Sequence, residues 1–189
     1  WMIHYDTITA RMQGGRIPNM TRSNAREIAV HMIFSLSFGN QSAQELLDSQ
    51  LTHERFRELA EDMPLYAQYP NEKQEKYIRE LVQGVFFHGP ELDDCISRYA
   101  KGWSFARIPR MASAIMRTAM YEVLYMPDVP NAAAINEAVE IAKNYEPQEV
   151  VSFLNGILGT FVRTECQDGA AKEEASEQAE ADATTETEM

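Results

Sequence analysis

From Tyr121 to Arg163 the chain reads YEVLYMPDVPNAAAINEAVEIAKNYEPQEVVSFLNGILGTFVR, three helical patterns joined by two very short connections. The connections are Pro127 to Pro130 and Glu146 to Pro147. Apolar residues recur here at helical spacing, and proline marks each joint because it lacks the N–H that a continuing helix needs. Few other segments have boundaries so clear. The same stretch sets two polar pairs, Asn136-Glu137 and Asn155-Gly156, among apolar neighbours.

Five helical patterns involve the chain before or into this stretch. Asn24 to Phe38 carries the stripe Ala25, Ile28, Ala29, Met32, Ile33 and Leu36, with Asn24 and Glu27 spaced as a capping box and Gly39 as a stop. Ser42 and Glu45 form a second capping box; Leu46, Leu47 and Leu51 follow, and Phe56, Leu59 and Ala60 carry a further segment to Pro64. Glu72 to His88 turns Tyr77, Ile78, Leu81, Val82 and Val85 inward. Pro90 and Pro109 suit first helical turns, opening patterns that stop at Gly102 and Pro127. In the opening stretch, Ala132 to Tyr145 points Ile135, Ala138, Val139 and Ala142 inward. Pro147 to Arg163 does so with Val150, Val151, Leu154, Ile157, Leu158 and Phe161. No segment alternates with a period of two, so the expected fold is all-α with about seven helices.

Both ends differ from this body. Residues 1–20 lack a sustained period, and Met20 directly precedes the first helix signal. Residues 1–20 are therefore expected to be a flexible N-terminal extension of a helical domain spanning 21–165, with Met20 the expected natural start and the first 19 residues upstream of it. Residues 166–189 hold no large apolar residue before Met189 and are expected to be a disordered acidic tail. Of the whole-chain charge of −12, Gln167 to Met189 supplies −7, from eight acids against Lys172. A chain this acidic does not bind nucleic acid through bulk charge, so such binding needs a local basic patch or a basic partner. No apolar run nears the roughly 18 residues of a membrane span, and there is no signal-peptide core. Cys95 and Cys166 are the only cysteines, Cys166 beside the tail, which fits a reducing, cytoplasmic setting.

Enzymatic motifs are missing: there is no Gly-rich phosphate loop, HExxH, paired CxxC or GxSxG. His4, His31, His53 and His88 lack metal-ligand spacing, and His31 is expected at the surface. Asp93-Asp94 and Glu61-Asp62 are expected to be solvated faces, and Met111, Met116 and Met120 core filling. Glu140 and Lys143 are spaced for a local ion pair. Arg22 and Arg26 lie four apart at a helix start, where cations oppose the macrodipole. They are either a solvated pair or an anion contact. Asn136 and Asn155 either satisfy backbone groups where helix connections cross or mark function, and Gly156 and Gly159 would admit another backbone.

Several segments, in order, resemble the NusB family of bacterial transcription antitermination factors. They are ARE (Ala25–Glu27) followed by Ala29, ELVQGV (Glu80–Val85), ELD (Glu91–Asp93), IMRTAMYEVLY (Ile115–Tyr125), DVP (Asp128–Pro130), AINEAVEIAK (Ala134–Lys143) and FLNGILG (Phe153–Gly159). The resemblance covers about Thr21 to Arg163. It implies two small packed helical bundles, no catalysis and no cofactor or metal. It further implies binding of boxA-type RNA in nascent rRNA transcripts together with NusE, the ribosomal protein also called protein S ten. Other Nus factors and RNA polymerase complete the antitermination complex, and some members form homodimers.

Carried onto this chain, the implied RNA contacts are Arg22, Arg26, Tyr99, Arg117, Glu149, Ser152, Phe153 and Asn155. The segment TRSNARE has Ser23 and Asn24 where many relatives are basic, which raises dependence on NusE; Arg11 and Arg16 are further cations. Two alternatives stand beside this. One is a protein-interaction scaffold of the same complex with little RNA affinity. The other is the NusB-like domain of an RNA methyltransferase, disfavoured because an acidic tail stands where a catalytic domain would follow.

Overall fold

A computed structural model of the chain describes residues 20–102 and 105–165. Residues 1–19 and 166–189, with the extension, the tail, Arg11, Arg16 and Cys166, lie outside the described residues. Among the described residues there are eight α-helices, two single 3-10 turns and no strand. The chain divides between Gly89 and Pro90 into two compact units.

The first unit holds α1 (Arg22–Leu36), α2 (Ala43–Gln50), α3 (His53–Leu59) and α4 (Glu72–Phe87). Helix α1 starts earlier than its Asn24-Glu27 pattern suggests. Thr21 is the cap: its hydroxyl oxygen accepts the Asn24 N–H at 3.1 Å. Thr is nearly as good a cap as Asn and stands three residues upstream, so Asn24 is left inside the first turn. The capping box at α2 is present as expected, with Ser42 accepting the Glu45 N–H and Glu45 accepting the Ser42 N–H at 2.8 Å. Those bonds, the backbone one first, hold the Glu45 carboxyl below its usual pKa.

The segment after α2 is a separate helix because Leu51 leaves helical geometry, at φ −86° and ψ 61°. Thr52 then caps α3 through the Arg55 N–H, and the Tyr69 hydroxyl donates to the freed Leu51 carbonyl at 2.9 Å. This break makes eight helices of the expected seven. Helix α1 packs along α4, burying Ala25, Ile28, Ala29, Met32 and Ile33 with Ile78, Leu81 and Val82. Full burial of an Ile or Leu side chain is worth about 1.5–3 kcal/mol. His31 is not a surface residue. It is half-buried, its Nδ1 lies 2.9 Å from the Tyr66 hydroxyl, and the two rings stack at 5.9 Å. Burial lowers the His31 pKa and outweighs Glu27, one turn earlier on α1, which raises it.

The second unit holds α5 (Gly89–Tyr99, from Pro90 onward), α6 (Arg110–Tyr125), α7 (Asn131–Tyr145) and α8, helical over the described residues 148–165. Gly102, three residues past α5, has φ +84°, a region open to glycine. Helix α6 is buried around most of its circumference: Ala112, Ser113, Ala114, Ile115, Met116, Thr118, Ala119, Met120, Tyr121 and Glu122 are all inside. Thr118 satisfies its hydroxyl by donating to the Ala114 carbonyl at 2.9 Å.

Pro109 gives α6 no side-chain cap. Glu146, in the connection to α8, supplies one by accepting the Ala112 N–H at 3.1 Å. Helix α7 buries Ala134, Ala138, Ile141 and Ala142. Its inner face is therefore turned from the expected one, with Ile135 and Val139 only half-buried. Asn136 is exposed, so it does not sit where helices cross. Helix α8 buries Val151, Leu154, Ile157, Leu158 and Phe161 as expected.

Candidate nucleic-acid interface

In the first unit, the start of α1 presents Arg22 and Arg26 on one face, four residues apart. Both guanidinium groups lie over the Tyr77 ring of α4, at 4.7 and 5.9 Å from its centroid. Their exposures differ sharply. Arg22 is exposed, whereas Arg26 is 3% exposed and belongs to the interior. Stacking on an aromatic face fixes the guanidinium plane while leaving the N–H edges of Arg22 open to an anion.

In the second unit, the outward side of α8 carries Glu149, Ser152 and Asn155, all exposed, with Phe153 half-exposed beside them. The Ser152 hydroxyl donates back to the Gln148 carbonyl at 2.9 Å, and its oxygen accepts the Gln148 side-chain amide at 3.4 Å. A Cβ placed at Gly156 would meet nothing within 4 Å, and at Gly159 only the Arg163 guanidinium at 3.5 Å. The expected close approach of another backbone is therefore absent among the described residues.

Arg117 is engaged elsewhere. Its guanidinium grips Asp93 with Nε at 2.6 Å and Nη2 at 2.9 Å, and its Cζ lies 5.8 Å from the Phe105 ring centroid. Asp93 is thus an ion-pair partner, not a solvated acid. Tyr99, at the end of α5, meets the far end of α8. Its ring stands edge-on to Phe161 at 5.9 Å, and its hydroxyl donates to Glu165 at 2.6 Å. Burial, then the bond to Glu165, raises the Tyr99 pKa. Asn155 and Glu165 are ten residues apart, about 15 Å along the helix. Tyr99 and the Glu149–Asn155 face therefore occupy opposite stretches of α8.

Two residues at this end, Arg98 and Glu165, had no signal of their own in the sequence. Arg98 also donates to Glu165, at 2.9 Å, and its guanidinium lies 5.9 Å from the Tyr99 ring. Tyr99 and Arg98 stand 66 and 67 residues before Glu165, beyond any local spacing rule. Among the described residues no group of three or more His, Cys, Asp or Glu is placed to hold a metal ion. No helix of the described residues is long and apolar enough to cross a membrane.

The described residues form an all-α scaffold of two helical units. The chain belongs to the NusB family, whose family model matches residues 23–163. It is 37% identical over 160 residues to the transcription antitermination protein NusB of Acetivibrio thermocellus, covering 84% of this chain and 100% of that protein. It is 39% identical over 140 residues to its counterpart in Carboxydothermus hydrogenoformans, covering 74% and 91%. Among solved structures, NusB of T. maritima matches with a TM-score of 0.65 at 26% identity, over 78% of this chain and 94% of that one. A NusB solved with NusE and dsRNA matches with a TM-score of 0.59 at 20% identity, over 75% and 96%, a likeness of fold alone.

Proposed function

We propose that this chain is an RNA-binding transcription antitermination factor. It pairs with NusE on boxA-type RNA of nascent rRNA transcripts and, with other Nus factors on RNA polymerase in the cytoplasm, suppresses premature termination. The family match across 23–163 carries this reading, since it spans nearly every described residue and its relatives bear that role in their names. The relative solved with NusE and dsRNA supports the choice of partners. Chemically, Arg22 offers a phosphate contact, the exposed Glu149, Ser152 and Asn155 offer hydrogen bonds, and the half-exposed Phe153 offers a ring for unpaired bases. Arg26 in the first unit, and Tyr99 and Arg117 in the second, are proposed contacts through the resemblance, Arg26 and Arg117 each supporting its own unit's surface more than touching RNA.

A second reading, a scaffold with weak RNA affinity of its own, is favoured by one observation: of the three arginines proposed, one is buried and one is held by Asp93. Binding of boxA RNA, measured with and without NusE and across salt, separates the two. The factor reading expects a ternary complex whose affinity falls with Arg22→Ala and whose salt slope loses about one phosphate contact. Absence of any RNA-dependent complex with NusE would overturn it in favour of the scaffold.

A further inference from the structure

The contact at the far end of α8 has the form of an occupied anion site. One oxygen of Glu165 accepts both the Tyr99 hydroxyl at 2.6 Å and the Arg98 guanidinium at 2.9 Å. The Arg98 side chain remains 60% exposed and Glu165 28% exposed. The Tyr99 ring is half-exposed and braced edge-on by Phe161. A guanidinium and a phenol converging on one oxyanion beside an accessible aromatic face are the groups that hold an RNA phosphate and stack its neighbouring base. Here the oxyanion comes from the chain itself.

Two effects decide whether the occupant can leave. An exposed ion pair of this kind contributes about 0–1 kcal/mol, so the fold does not depend on it. The acid run beyond Glu165 adds a salt-screened repulsion that any incoming anion meets. Residues 167–189 carry eight acids against Lys172.

Resting on the RNA-binding function, we propose that Arg98 and Tyr99 form a phosphate contact for RNA. Glu165 fills it in the RNA-free chain, and the acid run behind Glu165 raises the cost of displacing it. Arg98 then extends the contact set beyond the residues the family resemblance implies. RNA and Glu165 compete for one site, so affinity for RNA is set partly by the chain's own carboxylates.

The test is a fluorescence-anisotropy titration of labelled boxA-type RNA, with NusE present. It compares the full-length chain, Glu165→Gln, and a full-length variant with the eight tail acids changed to their amides. Both variants are expected to bind about threefold tighter or more at roughly 50 mM salt, with the gain lost near 1 M, where screening falls to about 3 Å. Adding Arg98→Ala to Glu165→Gln is expected to remove the gain. Unchanged or weaker binding by both variants overturns the proposal, as does a gain that survives Arg98→Ala. Fewer tail acids ease the approach of any RNA, so a gain by the amide variant supports the proposal only where adding Arg98→Ala to it removes that gain, and a gain that survives there overturns it. If wild-type binding depends on Arg22 while neither variant changes it, this inference fails and the RNA-binding function stands. If no form binds RNA, both fail.

Discussion

Replacing Glu146 with alanine removes the acceptor that closes the start of α6. The Ala112 N–H is in the third position of a helix whose N-cap, Pro109, has no side-chain acceptor. Losing an N-cap acceptor costs about 0.5–2 kcal/mol. The upper half of that range applies because Ala112 is 0% exposed, so water does not replace the lost bond, and an orphaned buried donor costs about 1–3 kcal/mol. We expect a loss of about 2 kcal/mol, or roughly 4–8 °C in Tm for a chain of this size. Glu146→Gln keeps an acceptor oxygen and is expected within about 0.5 kcal/mol of wild type. The charge is not what stabilises here: burial raises the Glu146 pKa, and the Ala112 bond only partly offsets this. A raised acid contributes stability that is full below its ordinary value of 4.5 and is lost as pH rises through the raised one. Wild type should therefore lose stability relative to Glu146→Gln between about pH 4 and 7. Denaturant unfolding of the three proteins at both pH values checks this. Equal damage from the glutamine and alanine variants, or none from alanine, would refute the capping account.

Three further outcomes rest on the same geometry. Leu154→Ala, at a fully buried position of α8, should cost about 2–5 kcal/mol in denaturant unfolding. A double-mutant cycle on Arg117→Ala and Asp93→Ala should give a coupling of about 1 kcal/mol, since the pair is bidentate and mostly shielded, with side chains 19% and 32% exposed. His31 should titrate below its ordinary 6.5 by NMR, because burial outweighs the pull of Glu27. Stability should accordingly be full above about 6.5 and fall as pH drops through the lowered value, and His31→Gln should remove that dependence.

The stripes on α1, α4 and α8 are legible in the sequence because their apolar residues repeat at helical spacing, and their buried faces match the pattern apart from half-buried Leu36 and Val150. The inner face of α7 is not. Ala132, Ala133 and Ala134 are equivalent in hydropathy, so the pattern favours the larger Ile135 and Val139 while packing selects Ala134 and Ile141. The α2–α3 break is hidden because nothing at Leu51 resembles a turn residue; the departure is completed by Tyr69, eighteen residues away. At the candidate site, the residue types are readable but their engagements are not. Arg117 and Asp93 are 24 apart, Tyr99 and Glu165 are 66 apart, and no spacing rule links either pair. His31 defies the surface expectation for the same reason, its partner Tyr66 being 35 residues distant.

The shared Tyr77 ring has a consequence for how this segment can vary. Arg22 presents its charge to solvent, and lysine there would keep the charge but lose the flat group held over Tyr77 at 4.7 Å. Arg26 is a flat group inside the unit, and lysine cannot lie on a ring in that way. Both arginines are thus tied to their shape, one with its charge at the surface and the other inside the unit. A basic residue retained at position 26 reports the packing of α1 on α4, and counting arginines along this helix overstates the charge offered to a ligand.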